Sequence, residues 1–216
     1  MKTILLLSVF FFILNAFAQN NKTEMTHYIF PEFVKSKVVM HAGGIHTHML
    51  NYNALTEEMI YENNGIKLAM DKLTDIDTIY IRNRIFIPYQ KKFIELIHNN
   101  KYELFAAHKC SLIEPGKPAG YGGTSQTSSS TSFSSYSSGG QLYELTLPNG
   151  HSTKPYTEYL LKKDGKITRF LTIKQLSRLF EEQSAIFKEF TKSHKVSYEN
   201  QESIVELIMF IEQHSK

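Results

Sequence analysis

Two dipeptides, Asn64-Gly65 and Asp164-Gly165, each sit between short runs of β-favouring residues, in "EEMIYENNGIKLAM" and "EYLLKKDGKITRF". Both residues of such a pair tolerate positive φ, which a tight primed turn requires, so each segment reads as a β-hairpin. The same rhythm, strand-like runs broken by turn residues roughly every ten positions, extends over residues 36–170. "FIELIHNNKYELFAAH" reads as a third hairpin around Asn99-Asn100, with a short helix over residues 91–97 as the alternative. In "DTIYIRNRIFIPY" the four residues Ile79, Ile81, Ile85 and Ile87 are expected on one face, with Asn83 at a bend or bulge. "QLYELTLPNG" is expected to bury Tyr143, Leu145 and Leu147. Consecutive hairpins of this kind build an antiparallel meander with one packed face, as an open or half-barrel-like sheet.

The period changes near residue 172. Thr172 followed by Gln175 is a capping-box signature, and Ile173, Leu176, Leu179 and Phe180 trace a helical stripe. Ser184 is a cap for a second helix with Ile186, Phe187 and Phe190 inward. Asn200 is a cap for a third, where Ile204, Leu207, Ile208 and Ile211 follow i, i+3, i+4, i+7 spacing. The expected fold is α+β, a β meander followed by a helical end of about three helices over residues 172–214. Between sheet and helices, "PGKPAGYGGTSQTSSSTSFSSYSSGGQ" lacks the apolar content that offsets ordering entropy. Residues 115–140 are therefore expected to form a flexible Ser/Gly-rich loop. Because strand-like sequence continues on both sides, residues 19–216 read as one domain.

The amino terminus, "MKTILLLSVFFFILNAFAQNNK", has Lys2 before an apolar run over residues 4–14, then Ala16-Phe17-Ala18. This is the layout of a signal peptide over residues 1–18, cleaved before Gln19. The run is too short to anchor in a bilayer, and no cysteine follows the cleavage point to carry a lipid. No integral membrane span is expected after cleavage. The chain is thus expected to be exported, to the periplasm, the cell surface or the medium. Its 24 Lys and Arg are dispersed among 21 Asp and Glu, with no basic stripe interleaved with aromatics, which gives nucleic-acid binding no support.

Chemistry has few footholds. Cys110 is the single cysteine, so no intramolecular disulfide forms. Alternation places Tyr102, Leu104, Ala106, His108 and Cys110 on one mostly apolar face, which implies a buried, inert thiol rather than a nucleophile paired with His108. "HAGGIHTHMLNYN" gathers three histidines around Gly43-Gly44. A two-residue turn at that pair would set His41 opposite His46 with Cβ atoms about 5 Å apart, and His48 would point the same way. Three imidazoles on one patch would hold zinc or copper and leave a coordination position open. The competing expectation is a solvated hairpin with polar residues outward. No nucleophile elbow, H-E-x-x-H, P-loop or dinucleotide fingerprint occurs. Glu57 and Glu58 are expected to diverge on a strand, and Asp75 and Asp77 to serve turn hydrogen bonds.

The segments "LNYNALTEEMIYENNG", "IDTIYIRNRIFIPY" and "GYGGTSQTSSS" together resemble a loose group of uncharacterised exported proteins of Gram-negative bacteria. The resemblance implies export and a shared fold, and carries over no catalytic residues. The extra serines after Thr127 extend the loop. The expected function is an exported non-catalytic protein that binds a small ligand, lipid or envelope partner protein without a cofactor. The alternative is a metal-binding protein or metal-dependent hydrolase built on His41, His46 and His48, and a third reading is a structural part of an envelope assembly.

Overall fold

The computed structural model describes residues 27–113, 117–119, 123–125 and 152–215. The segment read as a signal peptide, the run 143–147, and the Ser/Gly-rich stretch apart from two short strands lie outside the described residues. Eight strands precede that stretch: β1 (Val34–Met40), β2 (Ile45–Asn53), β3 (Glu58–Asn63), β4 (Ile66–Ala69), β5 (Ile76–Ile81), β6 (Arg84–Tyr89), β7 (Lys92–Asn99) and β8 (Glu103–Ile113). Two three-residue strands, β9 (Lys117–Ala119) and β10 (Gly123–Ser125), form a small ladder where a flexible loop was expected. Strands β11 (Ser152–Lys163) and β12 (Lys166–Phe170) follow, then helices α1 (Ile173–Leu179), α2 (Ser184–Ser193) and α3 (Gln201–His214).

Ten strands make one sheet in the order β12-β11-β8-β7-β6-β5-β1-β2-β3-β4. Every pairing in it is antiparallel. The expected α+β architecture is present, with the meander interrupted once. After β4 the chain returns through a 3-10 turn at Leu73–Asp75, and β5 pairs with β1 instead of β4. The two Asn-Gly and Asp-Gly hairpins form as read: Asn63 pairs with Ile66 and Lys163 with Lys166. Asn64 and Gly65 have φ of 51° and 79°, and Asp164 and Gly165 of 52° and 74°. Tyr89 pairs with Lys92 around Gln90-Lys91, a turn of the same left-handed kind without glycine. Residues 92–99 are strand, not helix.

One expectation about faces is overturned. Ile81 pairs with Arg84 across the two-residue turn Arg82-Asn83, where Arg82 has φ 55°. Ile79 then lies opposite Phe86, so Ile85 and Ile87 point to the other face of the sheet. A bend preserves alternation, whereas a two-residue reversal resets it.

The sheet curls about its inner face. Val38, Leu50, Tyr52, Met59, Ile79, Ile81, Phe86 and Phe93 pack there with Phe30 and Cys110. Strand β3 approaches β7, the Tyr52 hydroxyl donates to the Phe93 carbonyl at 3.4 Å, and Glu57 pairs with Lys92. A second core covers the same face at the other end, where Leu104, Ala106, Tyr159, Leu161 and Phe170 meet the helices. Ile204, Leu207, Ile208 and Ile211 of α3 are fully buried in it, as their spacing implied. Thr172 caps α1 by accepting from the Gln175 amide, and Asn200 caps α3 by accepting from the Ser203 amide. Ser184, expected to cap α2, is instead its first helical residue, because a 3-10 turn at Glu181–Gln183 runs directly into the helix.

Asn51 holds the irregular lead-in to β1. It is fully buried, and its Oδ1 accepts from the Phe30 and Tyr52 amides at 3.2 and 2.8 Å. Its Nδ2 donates to the Phe30 and Glu32 carbonyls at 2.9 and 3.2 Å. Asn51→Ala would strip buried backbone groups of partners at a cost of about 3 kcal/mol. Urea unfolding of the variant should show that loss at unchanged slope.

Candidate ligand-binding site

The three histidines do not assemble. The β1–β2 register sets Val39 opposite Ile45 and Val38 opposite His46, so His41 falls in a turn over residues 41–44. The expected two-residue turn with His41 facing His46 is not formed. At the end of β1 the ladder to β5 bulges between Val39 and Met40, and the His41 amide donates to the Asp75 carbonyl at 2.9 Å, which draws His41 off the hairpin. Its exposed side chain meets Asp77 at 3.5 Å. His46 and His48 share a face with ring centroids 6.4 Å apart, and His48 lies 5.9 Å from Tyr61. No group of three or more His, Cys, Asp or Glu side chains able to hold a metal occurs among the described residues.

A different constellation lies on the inner face between the two cores. Phe86 is opposite Glu95, and Glu95 is opposite Ala106, so the alternation that buries Phe86 and Ala106 also turns Glu95 inward. Arg84 and His108 share that face and reach Glu95 from opposite diagonals. Arg84 Nε donates to Glu95 Oε1 at 2.6 Å, and its Nη2 to Oε2 at 2.5 Å. His108 Nε2 lies 2.5 Å from the same Oε2. The guanidinium also sits over the Phe30 and Phe86 rings, 5.2 and 5.3 Å from their centroids. The Glu95 side chain is only 8% exposed, against 26% for Arg84 and 17% for His108, so the carboxylate is the buried hub.

A carboxylate oxygen only accepts, so His108 Nε2 carries the hydrogen. The 2.7 Å approach of Arg84 Nη2 to His108 Nε2 is then two donors converging on one oxygen, not a bond between them. Burial pushes the Glu95 carboxyl up, but hydrogen bonds from His108 and Arg84 and the Arg84 charge outweigh it and hold the group below its ordinary value. With the native pKa depressed, the native state binds fewer protons than the unfolded chain. The stability Glu95 contributes is complete above the ordinary value of 4.5 and drains as pH falls below it and through the depressed native value. Urea midpoints at pH 7 and pH 3.5 should therefore differ more for the wild type than for Glu95→Gln.

His108 also lines a cleft of about 590 Å³, a volume within the usual range for small-molecule sites. The cleft exists because β12 pairs with β11 only from Tyr159 onward, so no described strand flanks residues 152–158 on that side. Ile29 and Ala54 bound one wall, Pro155, Tyr156, Thr157 and Tyr159 another, and Leu171 and Tyr198 the far side. The Tyr198 hydroxyl lies 3.2 Å from both the Thr157 and Phe170 carbonyls. The Thr157 carbonyl thus points away from β8, and by alternation so does the Pro155 nitrogen, where a missing N–H breaks no ladder bond. Tyr159 is pushed up to about 12 by burial and by the nearby Tyr198, Glu199 and Glu95, so its hydroxyl stays protonated and able to donate. Cys110 is buried on the face expected of it, and burial pushes its thiol up, away from the reactive thiolate.

No protein-family model, curated protein or solved structure matches the chain. In the sequence His108 falls on the mostly apolar face of its strand, and the one partner weighed for it there, Cys110 along the same strand, is set aside. Its partners come from β6 and β7. The available signal was parity, since Glu95 in "FIELI" occupies an inward position beside Phe93.

Proposed function

We propose that the protein is an exported, non-catalytic binding protein that holds a small ligand in the cleft between the curled sheet and the helical end. The observation that carries this reading is the cleft itself, of about 590 Å³, walled by tyrosine and aliphatic side chains, edged by Lys109, Lys154, Glu158 and Glu199, and reached by the pre-positioned imidazole of His108. Few convergent polar groups on an apolar wall are what small-molecule recognition uses. An acyl chain suits the site less well, because the Arg84–Glu95–His108 set beneath it would face hydrocarbon. Export rests on the sequence of residues 1–18 alone.

Protein purified natively from the periplasm of an expressing bacterium should release a small compound on denaturation, identifiable by mass spectrometry. Thr157→Trp, which fills the cleft from the position opposite His108, should release none. Equal release from both proteins, or none from the wild type, contradicts the reading. Amino-terminal sequencing of the same material should begin at Gln19, and a chain still beginning at Met1 in the cytoplasm contradicts export.

A further inference from the structure

The floor of the cleft is chemically specific, and its specificity follows from which hydrogen-bonding groups are already used. His108 engages Glu95 through Nε2, and the structure records no partner for Nδ1 among the described residues. In a neutral imidazole with Nε2 protonated, Nδ1 is a lone-pair acceptor. Tyr159 lies diagonally across the β8–β11 ladder, since His108 is opposite Thr157 and Ala106 is opposite Tyr159. Such diagonal neighbours are within reach of long side chains. Tyr159 contributes ring contacts with Phe170 and Tyr198, at centroid distances of 5.9 and 5.2 Å, and its hydroxyl has no recorded hydrogen bond among the described residues. One acceptor and one donor therefore belong to diagonal neighbours on one ladder, and both residues line the same cleft.

Charge is balanced around them. Arg84 is neutralised by Glu95, and Lys109 by Glu158 at 3.0 Å and Glu57 at 3.7 Å. Lys154 and Glu199, of opposite sign, are exposed at the rim. An ionic head group entering this floor would lose its hydration with no unpaired countercharge to meet it. A polyhydroxylated ligand such as a sugar would find partners in Lys154, Thr157 and Glu199 but would press its other hydroxyls against Ile29, Pro155 and Leu171. A flat aromatic body instead gains edge and face contacts with the tyrosine rings.

We infer that the cleft takes an uncharged hydroxylated aromatic, a phenol-class ligand, whose O–H donates to His108 Nδ1 while its oxygen accepts from the Tyr159 hydroxyl. The inference rests on the cleft being a binding site and names the chemistry of its occupant.

The test is a titration of 15N-labelled purified protein, followed by amide shifts, with four probes: 4-methylphenol, toluene, benzoate and methyl glucoside. 4-Methylphenol should shift amides of residues 107–109 and 155–159 and bind about tenfold more tightly than toluene, because only the phenol pairs both polar groups. Benzoate and methyl glucoside should bind more weakly than 4-methylphenol. Tyr159→Phe, which keeps the ring and its packing, should weaken 4-methylphenol about tenfold and leave toluene unchanged. Toluene binding as tightly as 4-methylphenol overturns the inference and leaves the cleft as a general apolar site, as does indifference of 4-methylphenol to Tyr159→Phe. Preference for benzoate or the glucoside overturns the ligand class while supporting a binding cleft. No cleft shift with any probe contradicts both the inference and the function on which it rests.

Discussion

Glu95→Ala should destabilise the protein by about 3 kcal/mol, a large share of the 5–15 kcal/mol typical of a domain. The substitution removes the acceptor of three hydrogen-bond contacts and leaves the Arg84 guanidinium with no opposite charge on a face packed with Phe30 and Phe86. Breaking a buried ion pair from one side costs 3–5 kcal/mol, and the lower end applies because Arg84 is 26% exposed and keeps part of its hydration. Urea unfolding at pH 7 measures it. The companion experiment replaces the whole set, with Arg84→Met, Glu95→Leu and His108→Leu together. Apolar replacement of a complete buried charge cluster is often neutral or stabilising, so the triple variant should be more stable than Glu95→Ala. That order would show that a stable fold does not need the triad, which leaves its positioning of His108 as what it provides. A Glu95→Ala protein within about 0.5 kcal/mol of the wild type would mean the cluster is not formed in solution.

Phe180→Ala should cost about 4 kcal/mol, the largest single loss expected in the helical end. Phe180 is fully buried where α1 ends, with its ring 5.1 Å from that of Tyr102 in an edge contact and the Lys163 ammonium 5.6 Å from its centroid. It ties the β7–β8 turn, β11 and the helices to one another. The cavity left behind has little room to collapse, because Leu176 and Phe170 in the same core are themselves fully buried. Thermal unfolding measures the loss, and hydrogen exchange should show it concentrated in α1, α3 and the β8 amides near Leu104. Unchanged protection there would separate the helices from the sheet and contradict a shared core.

The sequence made local structure legible wherever a single short stretch decides it. Asn64-Gly65 and Asp164-Gly165 turned as their φ tolerance requires, and Thr172 and Asn200 capped the helices their stripes announced. Failures came where two distant stretches decide together. The β1–β5 pairing is chosen by contacts between residues about 40 apart in sequence, and it is that pairing which draws His41 away from His46 and His48. The Arg82-Asn83 and Gln90-Lys91 turns carry positive φ without glycine, so Asn83 marked the first only as a bend and nothing local announced the second. The site was half legible. Alternation put His108 inside, but an inward Glu95 and Arg84 become partners only once β6, β7 and β8 lie side by side, which the isolated runs do not specify.

Recognition at the floor of the cleft turns on the state of one ring. A long-range proton–nitrogen correlation spectrum of the histidines reports which nitrogen of His108 bears hydrogen, and how the other responds to an added phenol. The prediction is hydrogen on Nε2, held by Glu95, with a bare Nδ1 whose resonance moves on addition of 4-methylphenol. Hydrogen on Nδ1 with Nε2 bare, or an Nδ1 signal that stays in place at saturating 4-methylphenol, would contradict it.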